Sequence, residues 1–187
     1  MLRKIVFLAL CVTLVPAYAF DISQLMAELG KRQQGHARFE ETKYIAILDK
    51  PLQASGELSF KVPSTVEKRT LLPKPELLLL EGNMITLERD GKKKQFNLNR
   101  YPQVSAFVGA IRGLLTGNQQ EIEQSYKSQL SGDSDKWILT LTPTDEKLAE
   151  SILKVIFSGT KGELRSIECV QRDGDRSLMT IEPIKAQ

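Results

Sequence analysis

Residues 54–99 decide the fold, and they read ASGELSFKVP STVEKRTLLP KPELLLLEGN MITLERDGKK KQFNLN. Short runs with high β-propensity are separated by turn residues, which is typical of an antiparallel meander. In the first run Leu58, Phe60 and Val62 share one face, while Glu57 and Ser59 lie on the other. This strand is therefore expected to separate an apolar side of the sheet from a solvated side.

The run of four leucines at residues 77–80 departs from this alternation. Consecutive leucines place apolar side chains on both faces of a strand. Each face must then be covered by other parts of the chain, or one face must form a cavity that takes an apolar guest.

A helix is predicted directly after this meander, over residues 100–117. Its apolar stripe follows the i, i+3, i+4, i+7 spacing, with Pro102 near its start and Gly117 as its stop signal. The opposite face carries small residues, and the interior glycines Gly109 and Gly113 each weaken the helix by about 1 kcal/mol. Such a helix could be a movable lid, or it could be packed permanently on the sheet.

The rest of the chain adds a first helix over residues 20–34, a long strand over 38–48 and a short polar helix over 118–126. Residues 145–150 are interpreted as a polar linker or a single helical turn. Five further strands are predicted, at residues 127–130, 136–143, 152–157, 163–172 and 177–184. The fold class is therefore α+β, with about ten or eleven strands, and an antiparallel sheet of that size tends to curl toward a barrel.

The N-terminal segment has the three parts of a secretory signal peptide. Met-Leu-Arg-Lys is followed by a short apolar core and by Ala17-Tyr18-Ala19. Cys11 does not fit a lipoprotein signal, because Leu10 precedes it where a small residue is needed. We expect residues 1–19 to be removed after Ala19, leaving residues 20–187 as a single exported domain.

Charge and cysteine content exclude several classes of function. The net charge of +3 falls to +1 when Arg3 and Lys4 leave with the signal, so there is no electrostatic case for binding nucleic acid. Cys169 would then be the only cysteine, which allows no internal disulfide, and we expect it to be a small buried side chain. A monomer is expected.

The sequence offers little support for catalysis. His36 is the only histidine and has no nucleophile motif around it. The carboxylate pairs Glu40-Glu41 and Asp173/Asp175 are expected to be solvated. We predict no enzyme activity, no metal and no cofactor. The lysines at residues 92–94 are interpreted as a solvated hairpin tip, or alternatively as a contact for an acidic partner.

Several motifs together resemble the LolA family of periplasmic carriers of outer-membrane lipoproteins. They are His36-Ala37-Arg38-Phe39 after the first helix, the segment Gly-Glu-Leu-Ser-Phe-Lys-Val-Pro at 56–63, Leu-Thr-Pro at 141–143, and the closing hairpin at 174–177. The resemblance implies an incomplete antiparallel β-barrel whose concave apolar face is covered by helices and receives acyl chains.

The resemblance also implies a function and a location. The expected protein is a periplasmic carrier in a Gram-negative bacterium, moving an acylated lipoprotein or lipid from an inner-membrane donor complex to an outer-membrane acceptor. The chain resembles LolA-related carriers found with lipid-modifying and lipid-export systems more than it resembles the lipoprotein carrier itself. The guest could therefore be a glycolipid or another acylated molecule. The alternatives are a lipid-sensing regulatory domain that binds a partner protein and, with less support, an ester hydrolase.

Alternation and helical spacing nominate the residues of the lipid-binding cavity. The predicted wall consists of Leu58, Phe60, Leu77, Leu79, Trp137, Leu139 and Leu141. The predicted lid-helix contacts are Phe107, Val108, Ile111 and Leu115. In the family, an arginine at the position of Val62 ties the lid closed, so the resemblance marks Val62 as a lid-lock position that lacks the locking side chain.

Overall fold

A computed structural model describes residues 20–184, and within them one sheet of eleven strands dominates. The strands are β1 (Gln34–Tyr44), β2 (Leu52–Lys61), β3 (Thr65–Leu72), β4 (Glu76–Glu81), β5 (Met84–Arg89), β6 (Lys92–Asn97), β7 (Tyr126–Gly132), β8 (Trp137–Pro143), β9 (Ile152–Thr160), β10 (Glu163–Gln171) and β11 (Arg176–Pro183).

The sheet is antiparallel throughout and runs in the order β6-β5-β4-β3-β2-β1-β11-β10-β9-β8-β7. Two meanders, β1 to β6 and β7 to β11, meet where β11 pairs with β1. The strands β6 and β7 form the two edges, so the sheet is open rather than a closed barrel. This confirms the predicted α+β class with an open antiparallel sheet.

Four α-helices and one short 3-10 helix complete the described chain, against three helices predicted. They are α1 (Ile22–Leu29), α2 (Pro102–Thr116), α3 (Gln119–Glu123), α4 (Glu146–Ser151) and the 3-10 helix Leu98–Arg100. The fourth helix, α4, lies in the segment interpreted as a polar linker or a single helical turn, and it confirms the second alternative. The Asp145 side chain accepts a hydrogen bond from the Leu148 N–H and caps its start.

The first helix is shorter than the sequence pattern predicted. A capping box at Asp21 starts α1, but the helix ends at Leu29 rather than at residue 34. The strand β1 then begins at Gln34, which pairs with Lys61 of β2, and β11 pairs with the other side of β1 from Ala37 onward. The ladder with β2 therefore takes the place of the helix at Gln34.

The main core lies under the helices on one half of the sheet. Leu25 from α1, Leu114 from α2 and Ile122 from α3 are fully buried with the inward side chains of β8 and β9. Trp137 fits there because β9 has Gly159 beside it, where a Cβ would lie 2.2 Å from the indole ring. This half of the sheet is closed.

The other half carries a smaller cluster formed by Leu80, Ile85 and Leu98, which Val108 of α2 approaches from above. Between the two clusters the helices do not fill the concave side of the sheet. This gap holds the candidate functional site.

The edge strand β6 contains the lysines at residues 92–94, which were predicted to lie in a hairpin tip. The turn is made by Asp90 and Gly91, both with positive φ, and the lysines continue into the strand as exposed residues. Lysines on an edge strand discourage pairing with other chains.

Of the described helices, none has the length and apolar character needed to cross a bilayer. The predicted signal peptide lies outside the described residues.

Candidate functional site

A cavity of about 360 Å³ lies between α2 and the concave face of the sheet. Its walls come from β1 to β5 on one side and from β10 and β11 on the other, with Leu29 of α1 at one end. The volume is in the range of sites that bind small molecules, roughly 300–1,000 Å³. Apolar side chains make up most of its surface.

The roof of the cavity is one face of α2. Pro102 starts this helix and Gly117, with φ 69°, ends it by donating its N–H to the Gly113 and Leu114 carbonyls. The opposite side of α2 packs against α1, α3 and α4. The residues that line the cavity include all four predicted lid contacts, Phe107, Val108, Ile111 and Leu115.

The floor is built from residues that pair across neighbouring strands. Phe60 of β2 pairs with Val66 of β3, Val66 with Leu80 of β4, and Leu80 with Ile85 of β5. Directly paired residues point to the same face, so the four side chains form one apolar row, called the floor row below. The structure thus places the predicted wall residue Phe60 at the cavity, and Leu58 borders it as well.

The prediction for the four-leucine run is wrong by one residue. Leu78 and Leu80 line the cavity, whereas Leu77 and Leu79 lie on the other face of β4. Four consecutive leucines carry no polar residue that marks the outer face, and the pairing of Leu80 with Val66 and Ile85 decides the register. Leu77 and Leu79 are half-buried, opposite Arg69 and Glu67.

The placement of Trp137, Leu139 and Leu141 at the cavity wall is also wrong. Alternation identified their inward face correctly, and all three are fully buried. Their half of the sheet is covered directly by helices, so they belong to the closed core and not to the cavity lining. Sequence alternation distinguishes the faces of a sheet, but it does not show where the cover leaves a gap.

One group of polar residues interrupts the apolar lining. Glu41 of β1 accepts a hydrogen bond from the Lys68 ammonium, with Nζ 2.6 Å from Oε2, and another from the Ser177 hydroxyl at 2.9 Å. All three residues border the cavity. Glu41 is only 7% exposed, so its predicted solvation is wrong. The sequence did contain a signal for this burial, because Glu41 lies two residues after Phe39 and four after Ala37, and side chains at that spacing share one face of a strand.

The environment keeps the Glu41 carboxyl ionised. Burial on its own raises the pKa of Glu41, but the hydrogen bond and charge of Lys68 outweigh it, with smaller effects from the charge of Lys43 and the Ser177 hydroxyl. The net result is a pKa below the ordinary value. The Lys68 ammonium also lies 4.9 Å from the centre of the Phe39 ring, a cation–π contact that helps to hold its position.

Arg112 holds α2 in place, a role that the sequence did not indicate. Its guanidinium donates a hydrogen bond to the Gly82 carbonyl oxygen in the turn between β4 and β5, 3.3 Å away. It also pairs with the Glu121 carboxylate of α3. At the start of α2, the Gln103 amide donates to Ser151 of α4 at 3.0 Å.

Val62 lies in the turn that follows β2, where its N–H donates to the Gln33 carbonyl at 2.9 Å. It is half-buried and is not among the residues that line the cavity. Its lid-lock role therefore stays a prediction that the resemblance implies.

Cys169 of β10 also borders the cavity and is half-buried, and burial raises the pKa of its thiol. A pair formed by Arg32 and Glu163, 2.5 Å apart, lies at one end of the cavity. No group of three potential metal ligands occurs among residues 20–184.

An open antiparallel sheet with an apolar cavity under a helix is the architecture expected of a protein that binds apolar guests. A family model described as "Outer membrane lipoprotein carrier protein LolA-like" matches residues 14–182. The chain belongs to this LolA-like family, which confirms the resemblance.

Two curated relatives share about a quarter of their residues with this chain. The outer-membrane lipoprotein carrier proteins of Pseudomonas entomophila and Pseudomonas putida are 25% and 24% identical to this chain, and each alignment covers 99% of this chain and 88% of the relative. The crystal structure of a LolA superfamily protein from Nitrosomonas europaea is similar with a TM-score of 0.48 and 12% identity, over 89% of this chain and 93% of the other.

Proposed function

We propose that this protein is a periplasmic carrier that shields the acyl chains of a lipoprotein or glycolipid on its way from the inner toward the outer membrane. The observation that carries the proposal is the apolar cavity enclosed by α2, the floor row and the strands β10 and β11. Membership of the LolA-like family supports it. The proposed role needs no cofactor and involves no reaction, because the protein only binds and releases its guest.

The energetics explain why such a guest needs a carrier. Removing a 16-carbon chain from water is worth about 13 kcal/mol at about 0.8 kcal/mol per methylene, before the cost of ordering the guest is subtracted. A free acyl chain therefore leaves a membrane only rarely, and a carrier with an apolar cavity lowers that barrier. An inner-membrane donor complex and an outer-membrane acceptor are the partners that this role requires.

The proposal is tested by analysing what the protein carries. The protein is purified from the periplasm of cells that express the full chain, and the bound material is extracted and identified by mass spectrometry. Acylated molecules at close to one per protein are expected. Protein that carries none, and that after delipidation takes up none from vesicles, would overturn the proposal.

A further inference from the structure

The ion pair between Glu41 and Lys68 faces the cavity and not the packed core. The side chains of these residues are 8% and 23% exposed, and both border the cavity together with Ser177. Lys68 lies between two apolar wall residues, because it pairs with Leu58 on β2 and with Leu78 on β4. A charged pair therefore occupies the middle of an apolar surface.

Such a pair is not explained by stability. Desolvating two charges costs several kcal/mol per ion, and well-packed apolar residues of similar volume are often equally or more stabilising. A cavity that only needed to hold hydrocarbon would be served better by apolar side chains at both positions. The arrangement thus indicates that the guest presents a polar group at this place.

The hydrogen-bonding capacity of the group shows what it can bind. An ammonium has three N–H donors and no acceptor. Within residues 20–184, the hydrogen bond of the Lys68 ammonium goes to Glu41, and the Phe39 ring lies on another side at 4.9 Å. Glu41 also receives the Ser177 hydroxyl, so the carboxylate holds the ammonium in position while donors remain for an acceptor in the cavity.

The charge balance favours a neutral acceptor over an anion. The Glu41 carboxylate already neutralises Lys68, and a guest carboxylate would bring a second negative charge beside it. Lys43 lies 3.6 Å from Glu41, but its side chain is 48% exposed and solvent screens its charge. A carbonyl oxygen accepts the hydrogen bond without this repulsion.

We propose that Lys68, positioned by Glu41 and Ser177, binds the ester or amide carbonyl that links an acyl chain to its head group. The inference rests on the proposed function and adds the linkage chemistry of the guest. The hydrocarbon then extends from Lys68 along the floor row of Phe60, Val66 and Leu80, beneath α2.

The test uses two twelve-carbon guests with the same glycerol head group, namely the dodecanoyl ester and the dodecyl ether, which lacks the carbonyl. Each competes with a fluorescent alkyl probe for the delipidated protein. A hydrogen bond to a charged donor predicts that the ester binds about tenfold more tightly than the ether. The dodecanoate anion is expected to bind more weakly than the ester.

The matched variants are Glu41→Gln/Lys68→Met and Lys43→Met. The double change removes both charges together, which avoids leaving Glu41 buried and unpaired, and folding is checked by circular dichroism. The ratio of ester to ether affinity should fall to about one in the double variant and should stay at the wild-type value in Lys43→Met.

Three outcomes would overturn the proposal: equal affinities in the wild-type protein, an unchanged ratio in the double variant, or a preference for the anion. In each of these cases the protein still binds acyl or alkyl chains, so the carrier function stands. If neither guest displaces the probe, the proposed function itself fails.

Discussion

Arg112 of α2 donates a hydrogen bond to the carbonyl oxygen of Gly82, 3.3 Å away in the turn between β4 and β5. With the Arg112–Glu121 pair, this contact joins the roof of the cavity to the sheet and to α3. In the proposed function an acyl chain enters between α2 and the sheet, so this contact is a candidate barrier to loading.

The first prediction is that Arg112→Met speeds the uptake of a fluorescent fatty acid. A net hydrogen-bond contribution of about 0.5–1.5 kcal/mol corresponds to an increase of about 2- to 10-fold in the loading rate. Stopped-flow fluorescence measures the rate. Arg89→Met is the control, because Arg89 is a surface residue of β5 paired with Glu76 at 3.6 Å. Equal rates in both variants would mean that Arg112 does not hold the roof.

The second prediction separates the two glycines inside α2. A Cβ at Gly109 would meet no atom within 4 Å, whereas a Cβ at Gly113 would lie 2.7 Å from Ile122 Cγ1 and 2.9 Å from the Asn118 carbonyl oxygen. Gly109→Ala should therefore stabilise the protein by about 0.5–1 kcal/mol, and Gly113→Ala should destabilise it. Thermal unfolding measures both, and changes in the same direction would contradict this account of α2.

The third prediction tests which face of β4 contacts the guest. Leu78→Gln should weaken the binding of an acyl chain by about tenfold, because it places a polar amide in the cavity lining. Leu77→Gln changes the adjacent residue of the same strand on the opposite face and should leave the affinity within about twofold. Isothermal titration with the delipidated protein gives both values. If Leu77→Gln weakened binding more than Leu78→Gln, the result would support the register predicted from the sequence, in which Leu77 and Leu79 face the cavity.

The fourth prediction concerns acid. The folded protein holds the Glu41 pKa below its ordinary value, so the ionised carboxylate stabilises the fold above that value and this contribution is lost as the pH falls through the lowered pKa. Between about pH 5 and pH 3 the wild-type protein should lose more stability than Glu41→Gln/Lys68→Met.

Urea unfolding at a series of pH values measures the stability difference, and Glu40→Gln is the control because Glu40 is exposed. The pH dependence of Glu40→Gln should follow that of the wild-type protein. If the double variant runs parallel to the wild-type protein as well, Glu41 does not have a lowered pKa.

The sequence predicted the architecture because the relevant signals are local. Alternation in β2 and the turn residues of the meander define strands, and the stripe of α2 predicts four of the five α2 residues that line the roof, with Val104 as the fifth. The predicted register of β4 is wrong because that register depends on Val66 and Ile85 in neighbouring strands. Four consecutive leucines show no alternation of polar and apolar residues, so the strand's own sequence does not indicate that pairing.

The location of the cavity and its polar group depended on contacts distant in sequence. Glu41 and Lys68 are 27 residues apart, and Glu41 and Ser177 are 136 apart. Trp137 is inward-facing as predicted, yet only the arrangement of α1, α3 and α4 shows that its half of the sheet is filled. Sequence spacing therefore predicts which side of the sheet is apolar, but not which part of it stays open.

The central claim is that an acyl chain lies between α2 and the floor of the sheet. The most direct measurement is photocrosslinking of the delipidated protein with a fatty acid that carries a diazirine near its chain end, followed by mapping of the labelled residues by mass spectrometry. We expect labels on the cavity-facing residues of α2 and on Val66, Leu78 and Leu80, and loss of these labels when unlabelled guest is added. Labels confined to Leu77, Leu79 or other residues outside the cavity would contradict the account.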